Sequence, residues 1–170
     1  MKRIIFSLLM LCILNSASAM DFESSIDPCI DLSIGIINEH PAFGIATEVP
    51  FWKPCTLRLR YHYLAGNKDD IEADMFSLDI VYAQRDNQTS GYRFYPYIAA
   101  GAHYLIPDHK NYDMDPSLGV HAYAGCFYKI MPFHLLYLEG GIYSLKYEPD
   151  NQQSYTESKL FLSIGYKFIF

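Results

Sequence analysis

The sequence predicts an all-β protein, a closed antiparallel up-and-down barrel of eight strands that spans a membrane. Three observations predict this fold. Apolar residues recur at every second position through eight segments, and the two alternating sets of side chains differ sharply in chemistry. No run beyond the N-terminal segment reaches the ~20 apolar residues of a membrane helix. Because lipid offers no partner to an unpaired strand edge, such a chain can enter a bilayer only as a closed barrel.

The eight predicted strands are separated by segments that contain Pro, Gly, Asn or Asp, residues that favour turns and interrupt strands. The strands are predicted at residues 29–37, 42–49, 55–64, 73–83, 93–105, 118–128, 133–147 and 158–170. Their lengths suit the roughly 9–11 residues that a tilted membrane strand needs, and an even number of strands allows antiparallel closure.

The two faces of these strands differ in charge and in side-chain size. One alternating set is bulky, apolar and uncharged, as in Ile34, Leu78, Ile142 and Leu162, whereas the other carries the charged residues together with Gly, Ala and Ser. Gly weakens a strand that faces water, but the narrow interior of an eight-stranded barrel requires small side chains. The apolar set is therefore predicted to face lipid and the charged set to face the lumen.

Aromatic residues of the apolar set are predicted to form two bands. Both termini are placed in the periplasm, so that odd-numbered strands run outward and even-numbered strands return. The outer band then comprises Phe43, Tyr61, Tyr63, Phe76 and Tyr104, and the inner band comprises Tyr82, Tyr128, Tyr166, Phe168 and Phe170. Aromatic belts at both interfaces are typical of barrels in membranes.

The N-terminal segment has the three parts of a secretory signal. Lys2 and Arg3 form a basic region, residues 4–14 are apolar, and residues 17–19 read Ala-Ser-Ala, a typical cleavage site. We therefore expect residues 1–19 to be a cleaved signal peptide and residues 20–170 to form a single outer-membrane barrel domain. The chain is acidic, with 13 Lys and Arg against 19 Asp and Glu, and lacks a basic cluster, which argues against a nucleic-acid partner.

The lumen-facing charges are nearly balanced and are predicted to pair with one another. The predicted ion network comprises Asp31, Arg58, Arg60, Asp79, Glu139 and Lys167. Strand pairing would place one of the two arginines opposite Asp79 and Glu139 opposite Lys167, and barrel closure would bring Asp31 near Lys167. Because an unpaired buried charge is strongly unfavourable, and because barrels of this width have no open channel, we prefer a structural plug to a gated pore or a proton path.

Three histidines of the lumen-facing set, His62, His103 and His121, form a candidate luminal cluster. His103 and His121 are predicted to be cross-strand neighbours near the outer rim, with His62 some strands away. A metal site needs three or four converging ligands, and these positions do not bring a third ligand close. We therefore predict hydrogen-bonded or pH-sensitive histidines, and no metal ion or other cofactor.

Three cysteines follow the predicted cleavage site: Cys29, Cys55 and Cys126. Cys29 and Cys55 both fall near the predicted periplasmic rim, where an oxidising compartment would allow a disulfide between them. Three unpaired cysteines that pack as small hydrophobic side chains are an equal alternative. The chain has no C-x-x-C pair, which argues against a zinc or thiol-redox module.

The last predicted strand, residues 160–170, resembles the C-terminal strand of Gram-negative outer-membrane proteins, with Tyr166, Phe168 and Phe170 at alternate positions. Residues 95–102, followed by residues 119–125, resemble the central hairpin of small eight-stranded barrels such as the OmpA-type membrane domain and the OmpX and OmpW groups. The resemblance implies an outer-membrane barrel surrounded by lipid, whose terminal strand is read by the barrel-assembly machinery. It implies no particular activity, because these groups differ in function.

The leading functional hypothesis is a non-enzymatic outer-membrane barrel with a structural or surface-interaction role and a plugged lumen. The first alternative is a lipid A-modifying acyl hydrolase or acyltransferase, which needs a nucleophile, a base and an orienting acid in contact. Lipid A deacylases carry a His-x-Ser pair on their lipid-facing wall, and no histidine of this chain is followed by Ser two positions later. The second alternative is a soluble lipocalin-like barrel, with its charged face in water and its apolar face around a ligand.

Overall fold

The computed structural model is a closed barrel of eight antiparallel strands, each paired with its neighbours in chain order. It describes residues 29–37, 39–52, 54–66, 71–83, 93–109, 115–147 and 155–170. The strands are β1 (Cys29–Ile37), β2 (His40–Trp52), β3 (Cys55–Leu64), β4 (Ile71–Ala83), β5 (Phe94–His109), β6 (Ser117–Met131), β7 (His134–Tyr147) and β8 (Tyr155–Ile169). β8 pairs with β1 and closes the barrel. The predicted fold class is confirmed.

Residues 1–28, which include the predicted signal peptide, lie outside the described part of the chain. Within that part, no helix has the length and hydropathy to cross a membrane.

Several strands are longer than the sequence pattern predicts, because residues that favour turns remain in the sheet near its rims. β5 continues through Pro107, which lies opposite Ala73 of β4. β2 continues through Pro50 to Trp52, and its register with β3 shifts between these two residues. A local register shift accommodates a residue that has no N–H to donate to the ladder.

The sidedness of the wall agrees with the alternation in the sequence. Ile34 is 58% exposed on the outside of the barrel, whereas Arg58 is 0% exposed in the lumen. Side chains of the outward set include Leu32, Ile36, Leu78, Ile80, Ile98, Val120, Leu138, Ile142, Leu162 and Ile164. A barrel with this sidedness cannot be of the lipocalin type, because its apolar side chains surround the wall instead of lining a cavity.

The outer aromatic band runs continuously across β2, β3, β4 and β5. Phe43 lies opposite Tyr63, and Phe76 lies between Tyr61 and Tyr104 in the register. The ring centroids of Tyr61 and Phe76 are 5.2 Å apart. At the other rim, Phe94 packs against Tyr128 with a centroid distance of 4.9 Å and Phe168 packs against Phe170 at 5.0 Å. The two bands frame an apolar belt on the outside of the wall.

The depth of a lipid-facing position should determine the cost of placing a charge there. Leu78 lies between Phe76 of the outer band and Tyr82 of the inner band on β4, whereas Leu118 lies opposite Tyr104 of the outer band. We expect Leu78→Arg to lower the free energy of unfolding from liposomes by about 2–4 kcal/mol, and Leu118→Arg by about 0–1 kcal/mol. Urea titrations in vesicles measure both. Equal losses in the two variants would contradict the depths assigned to these two positions in the membrane.

Candidate functional site

The barrel lumen contains all the buried Asp, Glu, Lys and Arg side chains of the described residues. They are Asp31, Glu48, Arg58, Arg60, Asp79, Glu139 and Lys167. Each occupies an inward position of its strand, and strand alternation places the bulky outward neighbours on the lipid side. Glu48, which the alternation already places among the lumen-facing charges, joins the six residues of the predicted network.

Glu139 on β7 is the acceptor for side chains from three other strands. Arg60 donates to it from β3 through Nη1 and Nη2, at 2.5 and 3.0 Å. Tyr97 donates its hydroxyl at 2.7 Å from β5, and Ser163 donates at 3.1 Å from β8. Since β3 and β7 are diametrically opposite in the strand order, the Arg60–Glu139 pair crosses the full width of the lumen.

Arg58 joins this central pair to a second cluster nearer the rim where β1 begins. Its Nη1 donates to Glu139 at 3.1 Å, and its Nε donates to Glu48 at 2.6 Å. Lys167 donates to the same Glu48 carboxylate at 2.5 Å and lies 3.4 Å from Asp31. The buried charges of β1, β2, β3, β7 and β8 therefore form one connected network, in which no ion lacks an oppositely charged neighbour.

One predicted pairing is wrong. Glu139 lies opposite Ser163, and Lys167 lies opposite Leu135, nearer the rim where β7 begins. The prediction began the last strand at residue 158, but β8 begins at Tyr155, which pairs with Tyr147. This earlier start shifts the register of the whole hairpin. Barrel closure does place Lys167 directly opposite Asp31.

Tyr123 extends the network in the other direction, toward the rim where β1 ends. Its hydroxyl donates to Asp79 at 2.6 Å and accepts from Arg58 at 3.2 Å and from Arg60 at 3.3 Å. Asp79 is opposite Arg58 in the strand register and bonds to Tyr123 and His121. Tyr123 is not among the predicted network residues, although its alternation with His121 on β6 places it in the lumen.

The luminal histidines divide into a pair and a separate residue. His103 and His121 approach each other with their Nδ1 atoms 3.2 Å apart, and His121 Nε2 is 2.5 Å from Asp79 Oδ1. The ring of His62 lies over Gly44 instead. In the described part of the chain, no group of three or more His, Cys, Asp or Glu side chains has a geometry that could hold a metal ion.

Inward glycines allow side chains of strands that are not neighbours to meet. Gly101 on β5 lies between Asp79 on β4 and His121 on β6, and these two bond across it. In the same way, Gly125 on β6 lies between Tyr97 and Glu139, which bond across it. A Cβ at Gly125 would overlap the Tyr97 ring. The absence of a side chain at these positions is what makes the long-range bonds geometrically accessible.

Apolar side chains cover the network at both ends. Toward the rim where β1 ends, the buried layer contains Ile37, Leu64, Met75 and Leu105. Toward the rim where β1 begins, it contains Cys29, Val81, Phe127 and Leu135. Lys167 Nζ lies 4.4 Å from the centroid of the Phe127 ring. Within the described residues, the polar core of the lumen is therefore enclosed by apolar layers above and below.

The disulfide between Cys29 and Cys55 does not form, because both cysteines are free. Cys29 points into the lumen, where it is buried, whereas Cys55 lies opposite Tyr82 on the lipid-facing side of the wall. Two thiols on opposite faces of one sheet cannot approach within bonding distance. Cys126 is also free.

The residues of the predicted assembly signal lie on the outside of β8. Tyr166 and Phe168 are lipid-facing and partly exposed, and Phe170 follows the end of the strand. The hydroxyl of Tyr166 is hydrogen-bonded to His134 Nδ1 on β7. This arrangement leaves the three aromatic side chains on the outer surface of the closed wall, and their role in assembly remains a prediction.

Comparison with solved structures shows the fold that this chain shares. The N-terminal β-barrel domain of Pseudomonas aeruginosa OprF is 18% identical, with a TM-score of 0.60 over 84% of this chain and 97% of that chain. Neisserial surface protein A is 14% identical, with a TM-score of 0.62 over 85% and 95%. The outer membrane enzyme PagL is 13% identical, with a TM-score of 0.52 over 84% and 99%.

These similarities confirm the small eight-stranded outer-membrane barrel as the fold. No protein-family model matches the chain, and no curated protein matches it. Because PagL is an enzyme, the shared fold does not decide between an enzyme and a protein without catalytic activity.

The central carboxylate should be far more important for stability than a carboxylate at the rim. Glu139→Gln removes the charge that Arg58 and Arg60 share, which leaves buried guanidinium groups uncompensated. We expect a loss of about 3–5 kcal/mol in the free energy of unfolding. The matched control is Glu72→Gln, an exposed residue bonded to the Tyr63 hydroxyl, with an expected loss below about 1 kcal/mol. Urea unfolding followed by gel mobility measures both, and similar losses would contradict the network.

A luminal glycine and a lipid-facing glycine should respond differently to the addition of a methyl group. At Gly101, a Cβ would lie 2.6 Å from Asp79 Oδ1 and would overlap the Leu78 carbonyl oxygen. At Gly140, its nearest neighbour would be the Phe161 carbonyl oxygen at 3.4 Å. We expect Gly101→Ala to cost about 1–3 kcal/mol and Gly140→Ala less than about 0.5 kcal/mol. If both variants unfold at the same urea concentration as the parent, the lumen is less tightly packed than these distances imply.

Proposed function

We propose that this protein is a non-enzymatic outer-membrane barrel with a structural or surface-interaction role and a lumen closed by its own side chains. The observation that supports this most directly is the ion-pair network that crosses the lumen from Arg60 to Glu139 between two apolar layers. A lumen filled in this way supports the wall from inside. The functional surfaces are then the lipid-facing belt and the rims.

Outer-membrane location is supported by the outside of the wall. The apolar belt is framed by two aromatic bands, as expected for strands that cross a bilayer. The similar solved structures include outer-membrane proteins of bacteria. The proposal includes export through the signal peptide of residues 1–19 and assembly through the terminal strand with Tyr166, Phe168 and Phe170.

Closure of the lumen follows from the energetics of its ion pairs. A hydrated ion that entered between Arg60 and Glu139 would have to separate two groups joined by two hydrogen bonds. It would also have to pass the apolar layers that contain Leu105 and Phe127. Breaking a buried pair leaves uncompensated charge and costs about 3–5 kcal/mol, so the paired, closed state is strongly preferred.

The purified full-length barrel, reconstituted in a planar bilayer near neutral pH, should give no stable conductance steps. A heat-dependent mobility shift on SDS gels serves as the control that the same sample is folded. A folded sample with steady ohmic conductance would contradict the plug. A sample that stays in the aqueous phase without detergent would contradict the membrane location.

The absence of catalysis can be tested on the lipid A of the host. We expect its mass spectrum to be unchanged when the gene is deleted or overexpressed, while the deletion increases sensitivity to detergents. The loss or gain of one acyl chain would instead establish a lipid A-modifying enzyme, as the shared fold with PagL allows. The two outcomes separate a structural role from an acyl hydrolase or acyltransferase.

A further inference from the structure

The pair formed by His103 and His121 has four ring nitrogens, and three of their positions are defined by contacts. The two Nδ1 atoms face each other at 3.2 Å, and His121 Nε2 faces the Asp79 carboxylate at 2.5 Å. His103 also forms a hydrogen bond to the backbone of Ser144. Its Nε2 and the Ser144 carbonyl oxygen lie together beside Gly119, so this fourth nitrogen faces an acceptor as well.

Both Nε2 atoms must therefore carry a proton. A carboxylate and a backbone carbonyl are acceptors only, and each needs an N–H from the ring that faces it. A neutral histidine carries one ring proton. If both rings were neutral, each Nδ1 would be a bare lone pair, and the two lone pairs would face each other at 3.2 Å. That contact is a hydrogen bond only when one further proton lies between the two nitrogens.

We propose that His103 and His121 together hold one proton more than two neutral rings, shared across their Nδ1–Nδ1 contact. The pair then carries a single positive charge in the extracellular half of the lumen. Asp79 stabilises this charge directly through His121 Nε2. The stacked ring of Tyr143, 4.5 Å from His121 between centroids, holds the imidazole in the required plane.

Charge balance agrees with the shared proton when all four buried carboxylates are ionised. The buried carboxylates of the described residues are Asp31, Glu48, Asp79 and Glu139, and the buried cations outside the histidine pair are Arg58, Arg60 and Lys167. Four negative charges thus face three positive ones. An uncompensated charge in a lumen enclosed by apolar layers is strongly unfavourable. The shared proton supplies the fourth positive charge and makes this set neutral.

A proton fits the contact better than a metal ion does. Metal ions in proteins take three or four ligands, whereas in the described part of the chain only the two Nδ1 atoms converge at this point. The titratable and charged groups that surround the pair are Asp79 on β4, Arg60 and His62 on β3, Tyr123 on β6, and Glu139 and Tyr143 on β7. Glu139 is already bonded to the two arginines, so Asp79 is the carboxylate left to pair with the histidines.

The shared proton makes the stability of the barrel depend on pH, with a maximum near the pKa of a histidine in the unfolded chain. Histidines of the unfolded chain lose their protons as the pH rises above about 6.5, whereas the folded pair keeps its shared proton. Below that pH the unfolded chain protonates both rings, whereas the folded pair holds one extra proton, so the free energy of unfolding falls as the pH is lowered. Above it, the unfolded chain loses both of these protons and the folded pair keeps one, so the free energy of unfolding falls as the pH rises.

Ring-nitrogen NMR of the full-length barrel, labelled with 15N-histidine in detergent micelles, tests the proton count. Nitrogen shifts distinguish an N–H from a bare nitrogen, and single His→Gln variants assign the signals. Near neutral pH we expect the pair to show three protonated nitrogens out of four. Asp79→Asn, which removes the charge and keeps the size, should reduce the count to two. His62→Gln, outside the pair, should leave it at three.

Three results would overturn the proposal. Two bare Nδ1 signals in the parent barrel would show that there is no shared proton. One equivalent of bound metal in the purified protein would show that an ion occupies the contact. If the free energy of unfolding has the same pH dependence in the parent barrel and in a His103→Phe/His121→Phe variant, the pH dependence does not come from the pair. A flatter pH dependence in the double variant, with the fold confirmed by the gel mobility shift, supports the proposal.

Discussion

The structure depends on the requirement that a narrow lumen be both filled and electrically paired. Glu139 meets this requirement at the centre, because it accepts hydrogen bonds from β3, β5 and β8 at once. A single carboxylate thereby links opposite sides of the wall. Arg58 and Tyr123 carry the connection toward the two rims. The luminal side chains therefore connect strands across the barrel. In the core of a soluble protein, apolar side chains have this role.

The outside of the same wall obeys a different rule. Its side chains need only be apolar and lie at the depth of the hydrocarbon, because fluid lipid adapts to their shape. This explains why the lipid-facing set tolerates Ile34, Leu78 or Val120 without specific partners, while the luminal set contains residues with defined contacts. The aromatic bands at the two rims, such as Phe43 with Tyr63, mark where this apolar environment ends.

Alternation in the sequence was sufficient to predict the barrel, the sidedness of its wall and the candidates for the luminal site, because the direction of a side chain depends only on its parity within a strand. The partners of those side chains could not be predicted so well. The contact between Tyr97 and Glu139 joins strands that are not neighbours, and the position of Lys167 depends on where β8 begins. Local sequence does not determine how far along the barrel axis a residue lies. It also does not show which side chains meet across a glycine on the strand between them.

The glycines that separate bonded side chains have a consequence for how such a lumen changes during evolution. Gly101 is flanked by Asp79 and His121, and Gly125 by Tyr97 and Glu139. A larger residue at either glycine needs a smaller or differently bonded residue on both flanks. Luminal positions should therefore covary as triplets across three adjacent strands, while lipid-facing positions drift independently of one another.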